Sequence, residues 1–190
     1  MLRFRPAREP EEKEGLAHNI YYWLQTLVVA VVTIVLLFGF VCRITRVEGG
    51  SMLNTLHNGD LLLLWSLGYS PKAGDVVVLN ATGDDVLESL RDEAIVKRVI
   101  ATGGQTVEID YVADVVYVDG VALDEPYICE ADMKGSGCQI YEVPEGQVFV
   151  MGDNRNNSTD GRAIGPVDNG YVIGKVVCVL FPFQNMGLVK

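Results

Sequence analysis

Histidine is nearly absent from this 190-residue chain, with only His18 and His57, and the four cysteines form no C-x-x-C pair. Neither a histidine cluster nor a zinc signature can be assembled from them, so no metal is expected. Excess positive charge is missing too: 15 Lys and Arg stand against 25 Asp and Glu, a formal net charge of −10. A nucleic-acid partner is therefore not expected, since phosphate binding needs a basic footprint. No internal repeat is visible, and the length allows one ordinary domain with little to spare.

What the chain does have is one long apolar run. Ile20 to Cys42 carries no charged residue, and Gln25, Thr26 and Thr33 are its clearly polar ones. At ~1.5 Å per residue in a helix, such a run crosses a hydrocarbon core of ~30 Å. Tyr21, Tyr22 and Trp23 form an aromatic belt at one end, with Phe38 and Phe40 toward the other. A cleaved secretory signal would have an apolar stretch of only ~7 to 15 residues and a small-residue cleavage site; here Arg43 follows instead. The organisation expected is a cytoplasmic tail over residues 1–19, a retained membrane anchor over 20–42 and an extracytoplasmic domain over 43–190. Arg3, Arg5, Arg8 and Lys13 precede the anchor, against Arg43 and Arg46 closely after it, which favours the N-terminus inside a single-pass arrangement in the cell membrane.

Beyond Arg43 the chain reads as β structure. Leu61–Trp65, Asp75–Leu79, Thr106–Ile109, Val115–Val118, Gln147–Met151 and Tyr171–Phe181 are short apolar or β-branched runs bounded by Gly, Pro, Asn and Asp. Asp119-Gly120 is a two-residue hairpin signal, and Asp85–Asp92 is the one stretch suited to a brief helix. The class expected is a mostly antiparallel β-domain. Leu61–Trp65 has two readings, a fully buried strand, which is favoured, or an edge that skims lipid. Cys42 and Cys178 read as buried thiols. Cys129 and Cys138 bracket a polar loop and are candidates for a disulfide if the domain faces an oxidising compartment.

Chemistry points to Ser51. A serine needs a base, but His18 precedes the anchor, and His57 sits in a polar His-Asn-Gly-Asp turn with no obvious orienting partner. A lysine serves if it can be made neutral: at pKa ~10.4 only about one in two thousand is deprotonated at pH 7, and burial is the remedy. Lys97 lies in the strand-like Ala94–Ile100, sharing a face with Ile95 and Val99. Taken by itself, it reads rather as an edge-strand lysine with its head in water. The loop Gly152–Arg162 reads as an Asn/Asp/Gly/Ser turn in which Asp153 with Arg155, and Asp160 with Arg162, can be surface pairs of small value.

Four segments in order, Val47–Leu56 around Ser51-Met52, Gly74–Val78, Val96–Ile100 and Met151–Arg162, resemble the successive boxes of bacterial type I signal peptidases, in their compact Gram-positive-like form. Gly174-Lys175 and Phe181-Pro182-Phe183 resemble the family's C-terminal segment. The resemblance implies a signal-peptidase/SOS-repressor-type peptidase fold behind one transmembrane helix, with Ser51 as nucleophile and Lys97 as general base. It further implies Ser158 orienting the lysine, Asp160 and Arg162 as a supporting ion pair, and Met52 packed beside the cleavage site. The activity implied is removal of signal peptides from exported preproteins without metal or cofactor, in contact with cytoplasmic membrane lipids and with the secretion translocon as a further partner. Asn54, Gly161 and Gln105 depart from the family pattern, and Gly49 stands where some members carry a hydroxyl that helps bind the oxyanion. Two alternatives stay open, a Ser-Lys peptidase dedicated to one precursor such as a pilin, and a catalytically silent β-domain that binds export partners.

Overall fold

The computed structural model describes residues 11–80, 94–130 and 132–189. The expected helix at Asp85–Asp92 lies outside them. Two units separate, residues 1–40 and 41–190.

The first unit is helical. Helix α1 (Glu11–Leu36) passes into a π-helical turn (Leu37–Val41). Its apolar stretch, His18–Gly39, is long enough to cross a membrane. The helical stretch ends at Val41, and Cys42 is already the first residue of a strand.

Twelve strands follow among the described residues: β1 (Cys42–Arg46), β2 (Leu61–Trp65), β3 (Val76–Asn80), β4 (Ala94–Thr102), β5 (Thr106–Asp110), β6 (Val115–Val118), β7 (Val121–Ala122), β8 (Cys138–Glu142), β9 (Gln147–Met151), β10 (Val167–Asp168), β11 (Val172–Phe181) and β12 (Gly187–Leu188). The larger sheet has the order β1-β2-β11-β3-β4-β9-β10, with β12 also on β11, and the smaller one β7-β6-β5-β8. All strand pairs are antiparallel. The Asp119-Gly120 turn joins β6 to β7 with positive φ at both residues, 52° and 77°, as a two-residue hairpin loop requires.

β3 and β4 form the centre of the large sheet, and their apolar content explains why. Val76 and Val78 pack with Leu62, Leu64 and Val176, whereas Val77 and Leu79 pack with Val99, Val148 and Val150. A strand covered on both faces reads as a continuous apolar run, as Val76–Leu79 does. β2 differs from the expectation of full burial: Leu62 and Leu64 are buried, Leu61 and Leu63 are half-buried, and Trp65 is exposed. The core packs on the Leu62 and Leu64 face of β2, and the other face, with Leu61, Leu63 and Trp65, is only partly covered.

No disulfide joins Cys129 to Cys138; both thiols are free, as are those of Cys42 and Cys178. Cys129 Sγ lies 3.8 Å from Asn54 Oδ1, and Cys138 Sγ lies 3.2 Å from Glu108 Oε1. Strand β8 places Cys138 opposite Asp110, a pairing with no counterpart near Cys129. Cys42 and Cys178 are half-buried rather than buried.

Candidate active site

Ser51 opens a turn between β1 and β2, directly before a side chain that fixes its position. Met52 is 1% exposed and packs with Leu56, Leu62 and Val96. The residue expected beside the cleavage site is therefore part of the core under the serine, with almost no surface to offer a bound peptide. From the other side, Asn154 donates its backbone N–H to the Ser51 carbonyl at 2.9 Å and its side-chain amide to the Gly50 carbonyl at 3.1 Å. The serine loop is clamped between core and loop, an arrangement that pre-organises a nucleophile.

Lys97 comes to Ser51 from the middle of β4, where burial runs without alternation from Val96 to Ala101. Its Nζ donates to Ser51 Oγ at 2.8 Å, and the residue is 4% exposed. Burial lowers its pKa from 10.5 to about 8; the Asp160 carboxylate pulls upward, the Arg162 guanidinium downward and Asp153 upward. Near pH 8 a substantial fraction of the amine is thus neutral, and the same line of atoms can carry the Ser51 proton to Nζ. His57 is exposed in its turn, whereas Lys97 is the titratable side chain hydrogen-bonded to Ser51 Oγ.

The loop after β9 completes the surroundings. Asp160 accepts from Arg162 Nε and Nη2, both at 2.9 Å, and from the Gly152 N–H at 2.9 Å, while capping the short helix α2 (Gly161–Ile164). Burial works against its charge, but the Arg162 guanidinium and the Gly152 N–H hold its carboxyl below the usual range. Ser158 Oγ is buried beside it without a well-formed hydrogen bond, including none to Lys97. Gly152 makes this closeness attainable. A Cβ there would lie 2.3 Å from Ser158 Oγ and 2.6 Å from the Ser51 carbonyl.

Two ion pairs differ from the expectation of surface pairing within the loop. Asp153 pairs with Arg98, not Arg155, through Nε at 2.9 Å and Nη2 at 2.7 Å, and both side chains are buried. Arg155 pairs with Glu125 and donates to the Gly152 carbonyl at 3.1 Å. Thr55 donates to the same Asp153, and the Tyr127 ring stacks on Arg98 at 3.8 Å. Glu125, Thr55 and Tyr127 had no sequence signal beyond their types, because their partners lie tens of residues away.

Two of the departures from the family pattern, Gly161 and Gln105, find local reasons. At Gly161 a Cβ would meet the Val150 carbonyl at 2.7 Å, so a side chain has no room here. Gln105 Oε1 accepts from Thr102 N–H at 2.9 Å while its amide donates to Asp119 at 3.0 Å, closing the β4–β5 turn through a side chain. Gly49 has φ +86° and offers no hydroxyl. The Ser51 N–H makes no hydrogen bond among the described residues and stands as the available donor to an oxyanion. Among these residues no group of His, Cys, Asp or Glu could hold a metal ion.

A β-domain with a serine hydroxyl against a desolvated lysine amine has the make-up of a serine hydrolase working without histidine. The chain belongs to the family described as signal peptidase, peptidase S26, whose profile matches residues 20–181. It is 39% identical to the probable signal peptidase I-1 of Synechocystis over 85% of this chain and 82% of that protein. Similarity extends to signal peptidase I of Bacillus licheniformis, 32% identical over 93% and 96% of the two chains, and to signal peptidase I S of Bacillus subtilis, 35% over 88% and 92%. A crystal structure of an Enterococcus faecalis signal peptidase I is 29% identical and covers 60% of this chain and 98% of its own, with a TM-score of 0.45. The protein is a membrane-anchored peptidase of this family, mostly β and antiparallel, behind one N-terminal apolar helix.

Proposed function

We propose that this peptidase removes N-terminal signal peptides from exported preproteins, with Ser51 as nucleophile and Lys97 as general base. The observation that carries the reading is the 2.8 Å contact between a buried amine and the Ser51 hydroxyl. Ser51 Oγ attacks the scissile carbonyl as Lys97 takes its proton, and the Ser51 N–H donates to the developing oxyanion. Lys97 then protonates the leaving amine, and after the acyl-enzyme forms it draws a proton from water for hydrolysis. Asp160 and Arg162 set the field around the amine, and Ser158 sits across Gly152 from the Ser51 carbonyl. The names of the relatives favour this over a single-precursor peptidase or a silent binding domain.

The domain is assigned to the outer side of the cell membrane, with the tail in the cytoplasm, supported by the cations that precede the anchor. Contact with membrane lipids is supported by an outward apolar row: Ile44, Leu63, Cys178 and Leu188 align across β1, β2, β11 and β12, with exposed Trp65 and Phe181 beside them. A translocon partner follows only from where such substrates emerge. The test is cleavage of several unrelated preproteins in detergent, alongside covalent capture by a serine-directed probe. Ser51→Ala should lose both; a wild-type protein that cleaves none and takes no probe would overturn the reading.

A further inference from the structure

A cavity of about 340 Å³ opens beside Ser158, between the loop that holds Lys134 and the segment from Arg155 to Ala163; Tyr111 and Gln139 also line it. Its free polar atoms are mostly donors. The Asp160 carboxylate is occupied by Arg162 and the Gly152 N–H, and Arg155 is taken by Glu125 and the Gly152 carbonyl. Gln139 Oε1 accepts from the hydroxyls of Tyr111 and Tyr141 at 3.1 and 2.7 Å, which leaves its amide N–H groups as its free end. Lys134 Nζ has no ion pair or hydrogen bond among the described residues, and Arg162 uses only Nε and Nη2. Ser158 Oγ is buried on the same wall without a well-formed hydrogen bond. A cavity with an unpaired ammonium, a free guanidinium nitrogen and an amide N–H group complements a carboxylate.

Its position relative to the reaction says which carboxylate. The group that takes the serine proton must hand one to the leaving amine, so the chain after the cut departs on the lysine's side of Ser51. Ser158, on the cavity wall, lies across Gly152 from the Ser51 carbonyl, and Asp160 and Arg162 act electrostatically on the Lys97 amine. We propose that this cavity is the subsite for residues following the cut, and that it selects an acidic side chain there, with Lys134 as its specificity-determining residue. The proposal rests on the reading of the protein as a signal peptidase.

The experiment uses the full-length enzyme in detergent and peptides identical up to the cut. Asp, Asn or Lys is placed at each of the first three following positions in turn. At one of these positions kcat/KM should favour Asp over Lys by about two- to fivefold, the range of one partly screened charge pair. Added salt should shrink the preference. Lys134→Glu should invert the Asp-to-Lys ratio and Lys134→Gln should bring it near unity; a ratio does not depend on the overall activity of the variant. Equal rates at all three positions, or a ratio that Lys134→Glu leaves unmoved, would overturn the subsite while continued cleavage of every peptide leaves the signal peptidase reading standing. Failure to cleave any of them sinks both.

Discussion

Arg98 and Asp153 face each other through two charge-assisted hydrogen bonds, 2.9 and 2.7 Å long, with neither side chain more than 2% exposed. Arg98 is the strand neighbour of Lys97, and Asp153 precedes the residue that clamps the Ser51 carbonyl. One ion pair thus ties the strand of Lys97 to the loop that holds Ser51.

Asp153→Ala should therefore destabilise the domain strongly, because it leaves a buried guanidinium without its carboxylate. The expected cost is about 3 to 5 kcal/mol, read from denaturant unfolding. A loss below about 1 kcal/mol, the range of exposed pairs, would mean that the pair is solvated.

Activity should rise with pH through about 8, the value to which burial brings Lys97, because only the neutral amine accepts the Ser51 proton. Lys97→Arg should be inactive, since guanidinium stays protonated. Cleavage of a preprotein across pH 6 to 10 checks both. Retained activity in the arginine variant would move the base elsewhere.

The same shift has a stability signature. With a folded pKa near 8 and an unfolded one near 10.5, the unfolded chain binds more protons between these values, so Lys97's contribution to stability improves as pH rises through that window. Below pH 8 the buried ammonium costs about 3 kcal/mol. Lys97→Met removes it and should be inactive yet more stable at pH 7 by up to that amount. A less stable methionine variant would show that the amine is a net stabilising partner.

Asp160 and Arg162 pull the Lys97 amine in opposite directions, so neutralising each should move the pH profile oppositely. Asp160→Asn should shift the acid limb to lower pH and Arg162→Gln to higher pH. Parallel shifts, or none, would mean that the pair acts on the fold alone.

Gly152→Ala should reduce kcat/KM by about a hundredfold or more, since the added methyl cannot avoid both Ser158 and the Ser51 carbonyl without displacing the nucleophile. Near-normal cleavage would show that the loop yields without cost.

Much of the architecture was readable from local pattern. The strands at Leu61–Trp65, Val115–Val118 and Gln147–Met151 have the bounds expected, because apolar runs cut off by turn residues state their own ends. Strand β8 was not foreseen: its Cys-Gln-Ile-Tyr-Glu sequence is largely exposed and gives no strong alternation or apolar run, and pairing with β5 defines it. Ser51 and Lys97 stood out through their motifs, but their meeting could not be derived from spacing across 46 residues.

What the sequence determined by itself is therefore whatever depends on neighbours along the chain: the membrane-length helix, the β character of the rest, the hairpin at Asp119-Gly120 and the identity of the nucleophile and base candidates. Tertiary structure alone decided which charges pair, that Met52 is core, that Cys129 and Cys138 stay apart and that Lys97 is desolvated enough to titrate near 8. Burial and ion pairing depend on groups brought together from distant segments, and a pKa depends on the water those groups exclude, which no local pattern of residues records.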